Sequence, residues 1–158
     1  MAVKIRGIQK HDKKRILEIV EETKAFVPEE LEVAEEVIED YFNDPEGSGY
    51  FFYVAEYDGQ VAGYLCYGPT PMTHGAWDMY WAAVDPKLHG RGIGGTLFKM
   101  AEEHIRSLGG RMILIETASN PNYKAARSLY LTLGYEHVST VPDFYDRGDN
   151  KETFRKVL

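Results

Sequence analysis

The sequence has one cysteine, Cys66, so no intrachain disulfide can form and no thiolate metal cluster can be built from this chain. It also lacks a long apolar run. Runs such as Tyr50 to Ala55 are far too short to cross a bilayer, and residues 1 to 10 hold no apolar signal core. A cytoplasmic protein without membrane contact is expected. Positive charge is scarce too: 18 Lys and Arg stand against 25 Asp and Glu. The net charge of −7 argues against nucleic acid as a partner, which requires a basic footprint. No internal repeat or low-complexity tract interrupts the 158 residues. That length suits one domain, 1–158, with a real core.

What is present is unevenly placed. From Glu18 to Glu46 there are 12 acids and one base, Lys24, while the rest of the chain carries 13 acids and 17 bases. An acidic segment is mounted on a body of net charge +4.

Hydrophobic periodicity supplies the elements. Val3 to Ile8 reads as a strand. Asp12 is placed to cap a helix to about Thr23, with Ile16, Leu17, Ile19 and Val20 inward. Pro28 opens a second helix to about Phe42, with Leu31, Ala34, Val37, Ile38 and Tyr41 on one face and most of the acids opposite. Tyr50 to Tyr57 and Gln60 to Tyr67 are aromatic and β-branched runs joined by Asp58-Gly59, a hairpin signal. Ala76 to Val84 is another strand. Leu97, Phe98, Ala101, Ile105 and Leu108 then mark a helix closed by Gly109-Gly110. A strand at Met112 to Ala118, a helix at Tyr123 to Leu133 stopped by Gly134, and strands near Tyr135 to Val141 and Glu152 to Val157 follow. The class is α+β, in the order β-α-α-β-β-β-α-β-α-β-β.

The most informative segment is Asp85-Pro86-Lys87-Leu88-His89-Gly90-Arg91-Gly92-Ile93-Gly94-Gly95-Thr96. Glycines at a helix start let the backbone turn tightly and aim several N–H groups at one point. Added to the helix dipole, this makes a pyrophosphate cradle, with Arg91 as counter-charge. Gly90, Gly92 and Gly95 satisfy G-x-G-x-x-G, and Glu116 lies where a dinucleotide fold places its acid. Yet residues 85–89 separate the glycines from their strand, and the flanking elements cannot build a doubly wound sheet. A P-loop is excluded because no Gly-Lys-Ser/Thr follows. A plain connecting turn is the remaining bland reading.

The strand ending in Val84-Asp85-Pro86, followed by x-Gly-Arg-Gly-Ile-Gly-Gly opening a helix, resembles the acetyl-CoA signature of the GNAT superfamily of N-acetyltransferases. A second block, Tyr123 to Tyr135 with Ala126, Leu129, Tyr130 and Gly134, is similar to that family's Ala-x-x-Leu/Phe-Tyr-x-x-x-Gly-Phe/Tyr motif. With the element order, the resemblance covers essentially the whole chain. Two positions depart from the pattern: His89 stands where the family has Arg or Gln, and Tyr123 replaces a frequent asparagine, with Asn122 displaced by one. The implied fold has three layers. A twisted, mostly antiparallel mixed sheet of about seven strands, with a splayed central parallel pair, is flanked by about four helices.

The resemblance implies acetyl-CoA as cosubstrate, no metal, and direct transfer to an amine in a ternary complex. It places the pyrophosphate on backbone N–H groups among His89, Gly90, Arg91, Gly92, Ile93, Gly94, Gly95 and Thr96, with Asn122 as a further contact. The pantetheine arm runs beside Ala82, Ala83 and Val84, where a bulge in Trp81 to Val84 re-aims an N–H at the thioester oxygen. Tyr130 is the general acid, because a phenol near pKa ~10 keeps its proton at neutral pH and matches a thiolate leaving group. Glu116 is the first candidate base, ahead of Asp78, His74 and a water chain. Cys66, mid-strand among aromatics, is not needed as a nucleophile.

The acceptor is expected to be a small molecule or amino acid carrying an amine. The rivals are a non-catalytic acyl-CoA sensor and an enzyme acting on a protein or peptide amine. A homodimer is compatible with the sequence. In the resembled fold the two N-terminal helices wall the acceptor site, so the acidic segment either steers a cationic amine or simply faces water. Tyr50, Phe51, Tyr53, Trp77, Tyr80 and Trp81 either give that site a partly apolar character or belong to the core. The polar tail around Asp143–Asn150 reads as a loop in which Tyr145, Arg147 and Asp149 are placed to meet an acceptor or to form an ordinary turn.

Overall fold

The computed structural model describes residues 2–23 and 28–158; Lys24 lies outside them. Seven strands form one sheet in the order β1-β2-β3-β4-β5-β7-β6. They are β1 Val3–Gly7, β2 Phe51–Tyr57, β3 Gln60–Pro69, β4 Ala76–Val84, β5 Met112–Ala118, β6 Glu136–Asp146 and β7 Asp149–Val157. The four α-helices are α1 Lys13–Glu22, α2 Pro28–Asn43, α3 Ile93–Ser107 and α4 Lys124–Thr132. The pairs β1–β2, β2–β3, β5–β7 and β6–β7 are antiparallel, and β4–β5 is parallel. This is the mixed, mostly antiparallel arrangement expected from the sequence. The parallel register covers Ala76–Met79 against Met112–Ile115, while β4 runs on to Val84 and β5 to Ala118.

By internal contacts the chain forms two compact units, 1–68 with 81–101 and 69–80 with 102–158. The core of the first is the face of the β2–β3 hairpin carrying Phe52, Val54, Tyr64 and Cys66, covered by Ile16, Ile19 and Val20 of α1 and Ile38 of α2. These helical positions fall at the spacing of one apolar stripe, so burying them drives both helices onto the sheet. Asp58 and Gly59, both at positive φ, close the hairpin as their sequence predicts.

Asp12 has a different task from the one its position suggests. It lies at the start of α1 without a side-chain capping bond, and it is buried. Arg6 of β1 donates to both its oxygens, at 2.8 and 2.9 Å, and the Gln9 N–H donates at 2.7 Å. Burial pushes the carboxyl up, but these donors outweigh it and hold the group below its usual range. Asp12 ties α1 to β1, and a short 3-10 turn at Lys10–Asp12 precedes the helix, which starts at Lys13 as expected.

In the second unit, buried Ile113, Ile115, Tyr130, Tyr135 and Phe154 line one side of the β5–β7–β6 ribbon. Buried Glu102 joins them by accepting from Tyr135 Oη at 3.0 Å and from Lys156 Nζ at 2.7 Å. The last hairpin is longer than expected. β6 continues through Pro142 to Asp146, and β7 begins at Asp149, so the tail is strand and tight turn rather than an open loop. Register is irregular between Val141 and Asp146, the stretch that holds Pro142, on a strand at the sheet edge where proline is tolerated. Side chains make up the missing bonds: Asn150 accepts from the Asp143 N–H, and Asp143 accepts from the Gly148 N–H.

Candidate active site

The glycine segment lies in the first unit and is built from the end of β4 onward. Asp85 caps a 3-10 turn over Pro86–Leu88 by accepting from the Lys87 N–H at 3.0 Å. Its carboxylate is buried and also accepts from Arg15 Nη2 of α1 at 2.5 Å. The Asp85 N–H donates to Ala62 O at 2.8 Å, so the segment is pinned to β3 where β4 ends. Gly90 and Gly92 have φ of +81° and +77°. A Cβ on either would meet nothing within 4 Å, so glycine is required there for conformation and not for space.

α3 then starts at Ile93, with Ile93, Leu97, Phe98 and Ala101 buried behind it. The first helical bond runs from the Thr96 N–H to Gly92 O at 3.0 Å, and the Thr96 hydroxyl donates to the same oxygen at 2.8 Å. The N–H groups of Ile93, Gly94 and Gly95 precede that bond, and Arg91 and Gly92 beside them are exposed. N–H donors free of helical bonds at a positive helix end suit a phosphate-bearing cosubstrate. Arg91 Nη1 donates to Tyr57 Oη at 3.0 Å, with its guanidinium carbon 5.4 Å from that ring's centre. His89 Nε2 lies 3.0 Å from Val84 O. The departure from the Arg/Gln pattern thus serves as a staple between the loop and β4.

Tyr130 belongs to the second unit. α4 is preceded by a turn at Pro121–Tyr123, which Asn120 caps by accepting from the Asn122 N–H. Asp149, suggested by the sequence as an acceptor contact, instead receives the N–H groups of Ser119 and Asn120 and the Asn120 side-chain amide. It fixes the entrance to α4. Arg127 donates to Ala118 O and Asn120 O at the same joint, while the Asn122 residue is exposed. Tyr130 is buried, with ring centres of Phe154 and Tyr135 at 5.7 and 6.3 Å. Burial pushes its phenol up to about 12.

Glu116 occupies the contrasting environment. Ile115 pairs with Phe154 on the Tyr130 side of the ribbon, so Glu116, one residue on, points to the other face. Its side chain is 55% exposed and its carboxylate is 4.0 Å from Lys151 Nζ. Of the other candidate bases, Asp78 accepts from Thr70 Oγ1 at 2.6 Å, and the His74 carbonyl accepts from Arg111 Nε. Cys66 is fully buried and its thiol is pushed well up by burial, which suits packing and not attack. Arg15, Tyr57 and Asp149 were not legible as supports, because each acts through a partner at least 29 residues away.

Two further facts bear on partners. No helix among the described residues is long and apolar enough to cross a membrane. The α2 acids Glu29, Glu32, Glu36, Glu39 and Asp40 are exposed, and Lys13 of α1 bridges Glu35 and Glu39 at 3.1 and 2.7 Å.

Comparison with known proteins now bears on these features. The model of the GNAT acetyltransferase family matches residues 14–135. An uncharacterized N-acetyltransferase of Methanocaldococcus jannaschii is 27% identical over 135 residues, covering 79% of this chain and 84% of the relative. A crystal structure of a protein assigned to the GNAT family from Desulfovibrio desulfuricans is 35% identical, covers 99% of both chains and superposes with a TM-score of 0.93. A structure from Salmonella typhimurium with its cofactor acetyl-CoA is 20% identical, with a TM-score of 0.76 over 100% of this chain and 95% of that one, which bears on the fold. With the glycine block, the tyrosine block and the sheet order all in place, the chain belongs to the GNAT family of acetyltransferases.

Proposed function

We propose that this protein transfers an acetyl group from acetyl-CoA to the amine of a small molecule or amino acid, by direct attack in a ternary complex and within one catalytic domain. The observation that supports the reading is the α3 start: two glycines at positive φ lead into a helix whose Ile93, Gly94 and Gly95 N–H groups precede its first backbone bond, beside the exposed Arg91. Acetyl-CoA supplies an activated thioester when bound. In this reading the backbone from His89 to Thr96 holds its pyrophosphate, Asn122 adds a contact, and Ala82, Ala83 and Val84 flank its pantetheine arm.

Two side chains then manage protons. Tyr130 keeps its proton throughout the neutral range, because burial holds the phenol high, and gives it to the departing thiolate. Glu116, exposed beside Lys151, takes the proton of the attacking amine directly or through a water. The exposed α2 carboxylates favour a cationic acceptor, and the aromatics Tyr50 and Trp81 packed at the edge of the first core give it apolar surroundings.

The test is a thiol-release assay with acetyl-CoA against amines, amino acids and peptides. Release that depends on a small amine is expected. Release with peptides alone would replace the acceptor class. Absence of both thiol release and acetyl-CoA binding would overturn the reading.

A further inference from the structure

Gly63 lies in mid-strand, where glycine is normally a weakness. The β2–β3 register shows what it accommodates. Ala55 pairs with Gly63 and Glu56 with Val61, so Ala62 is an extra residue and β3 bulges at 62–63. The end of β4 fits onto this bulge. The Asp85 N–H donates to Ala62 O, and the Ala83 carbonyl oxygen is 2.9 Å from the point a Cβ on residue 63 would occupy. Val84 Cγ2 and Cα lie 3.2 and 3.4 Å from that point. No side chain fits there without moving backbone. Gly7, in β1, would meet nothing within 4 Å, so the constraint belongs to the site and not to strand glycines in general.

A peptide unit is planar and trans, so its C=O and N–H point in opposite directions. Seating the Ala83 oxygen over Gly63 therefore turns the Val84 N–H away from that position, and the His89 staple on Val84 O fixes the next peptide unit. We propose that Gly63 is a positioning residue for the donor: its missing side chain sets the Ala83–Val84 peptide so that the Val84 N–H is presented to the acyl-pantetheine arm. This rests on the acetyl-CoA reading above. It adds to it a residue that contacts neither substrate.

The test compares Gly63→Ala with Gly7→Ala and the unsubstituted protein, by calorimetric titration with acetyl-CoA and by steady-state kinetics. Gly63→Ala is expected to weaken acetyl-CoA binding about tenfold and to raise its KM in step, with the acceptor KM unchanged. Gly7→Ala should bind as the unsubstituted protein does. A purely structural role would lower the melting temperature and leave donor affinity per folded molecule untouched, and that result overturns the proposal. If Gly63→Ala is not recovered folded, the double variant Gly63→Ala, Val84→Ala clears the contact at 3.2 Å and is compared with Val84→Ala alone. Equal acetyl-CoA affinities in that pair also overturn it. Failure of the unsubstituted protein to bind acetyl-CoA strikes at the acetyltransferase reading itself, whereas equal binding by the protein and Gly63→Ala strikes at Gly63 alone.

Discussion

Around the glycine loop the proposed mechanism relies on the backbone, whereas around α4 and β5 it relies on side chains. In the loop, Gly90 and Gly92 matter for the φ values they permit, and Ile93 to Gly95 for N–H groups that precede the first helical bond. In the second unit, the proposed mechanism uses Tyr130 and Glu116 for their protons. Burial pushes the phenol up to about 12, while the carboxylate is more than half exposed with Lys151 at 4.0 Å. The difference separates two kinds of cost. Backbone sites fail through strain and lose binding; proton-transferring side chains fail through lost chemistry and lose rate.

Removing the Tyr130 hydroxyl is the strongest way to press on that contrast. Tyr130→Phe should keep its packing against Phe154 and Tyr135 and lower kcat by about 10²–10⁴-fold, read at saturating acetyl-CoA and acceptor. The pH profile sharpens the same point. With the phenol at about 12, ionisation of Tyr130 should produce no alkaline fall in kcat below about pH 11. A fall near pH 10 that vanishes in Tyr130→Phe would place the phenol at its ordinary value.

On the backbone side, Gly92→Ala forces a Cβ into a conformation with φ of +77°. A left-handed penalty of about 1–2 kcal/mol corresponds to roughly 5- to 30-fold weaker acetyl-CoA binding, measured by titration. Smaller still is the effect of Arg91→Ala. Losing one exposed cation should weaken binding about two- to fivefold at low salt, and less as ionic strength rises. Tyr57→Phe keeps the ring under the guanidinium and removes only the 3.0 Å hydrogen bond, so it should cost less than Arg91→Ala.

The two regions also differed in how far the sequence disclosed them. β4 and β5 fall at the expected bounds, because each is an apolar run between turn signals. The glycine loop was legible because its glycines stand between a strand ending in Val84-Asp85-Pro86 and an apolar helical stripe, a context that local sequence contains. Supports that depend on distant partners were not: Tyr57 under Arg91, Arg15 on Asp85, and Asp149 at the head of α4. Pro142 and the polar residues after it read as the end of a strand, yet Asp143 and Asn150 supply bonds that carry the hairpin on to Asp146. Asp12 read as a helix cap because Arg6, its actual partner, comes from a strand that local pattern cannot connect to it.

The central claim, that the loop binds the donor while Tyr130 serves the chemistry, is tested most directly by one titration series of acetyl-CoA into the unsubstituted protein, Gly92→Ala and Tyr130→Phe. The predicted result is affinity weakened roughly 5- to 30-fold in Gly92→Ala and unchanged within about twofold in Tyr130→Phe. Equal losses in the two variants, or a loss confined to Tyr130→Phe, would contradict it.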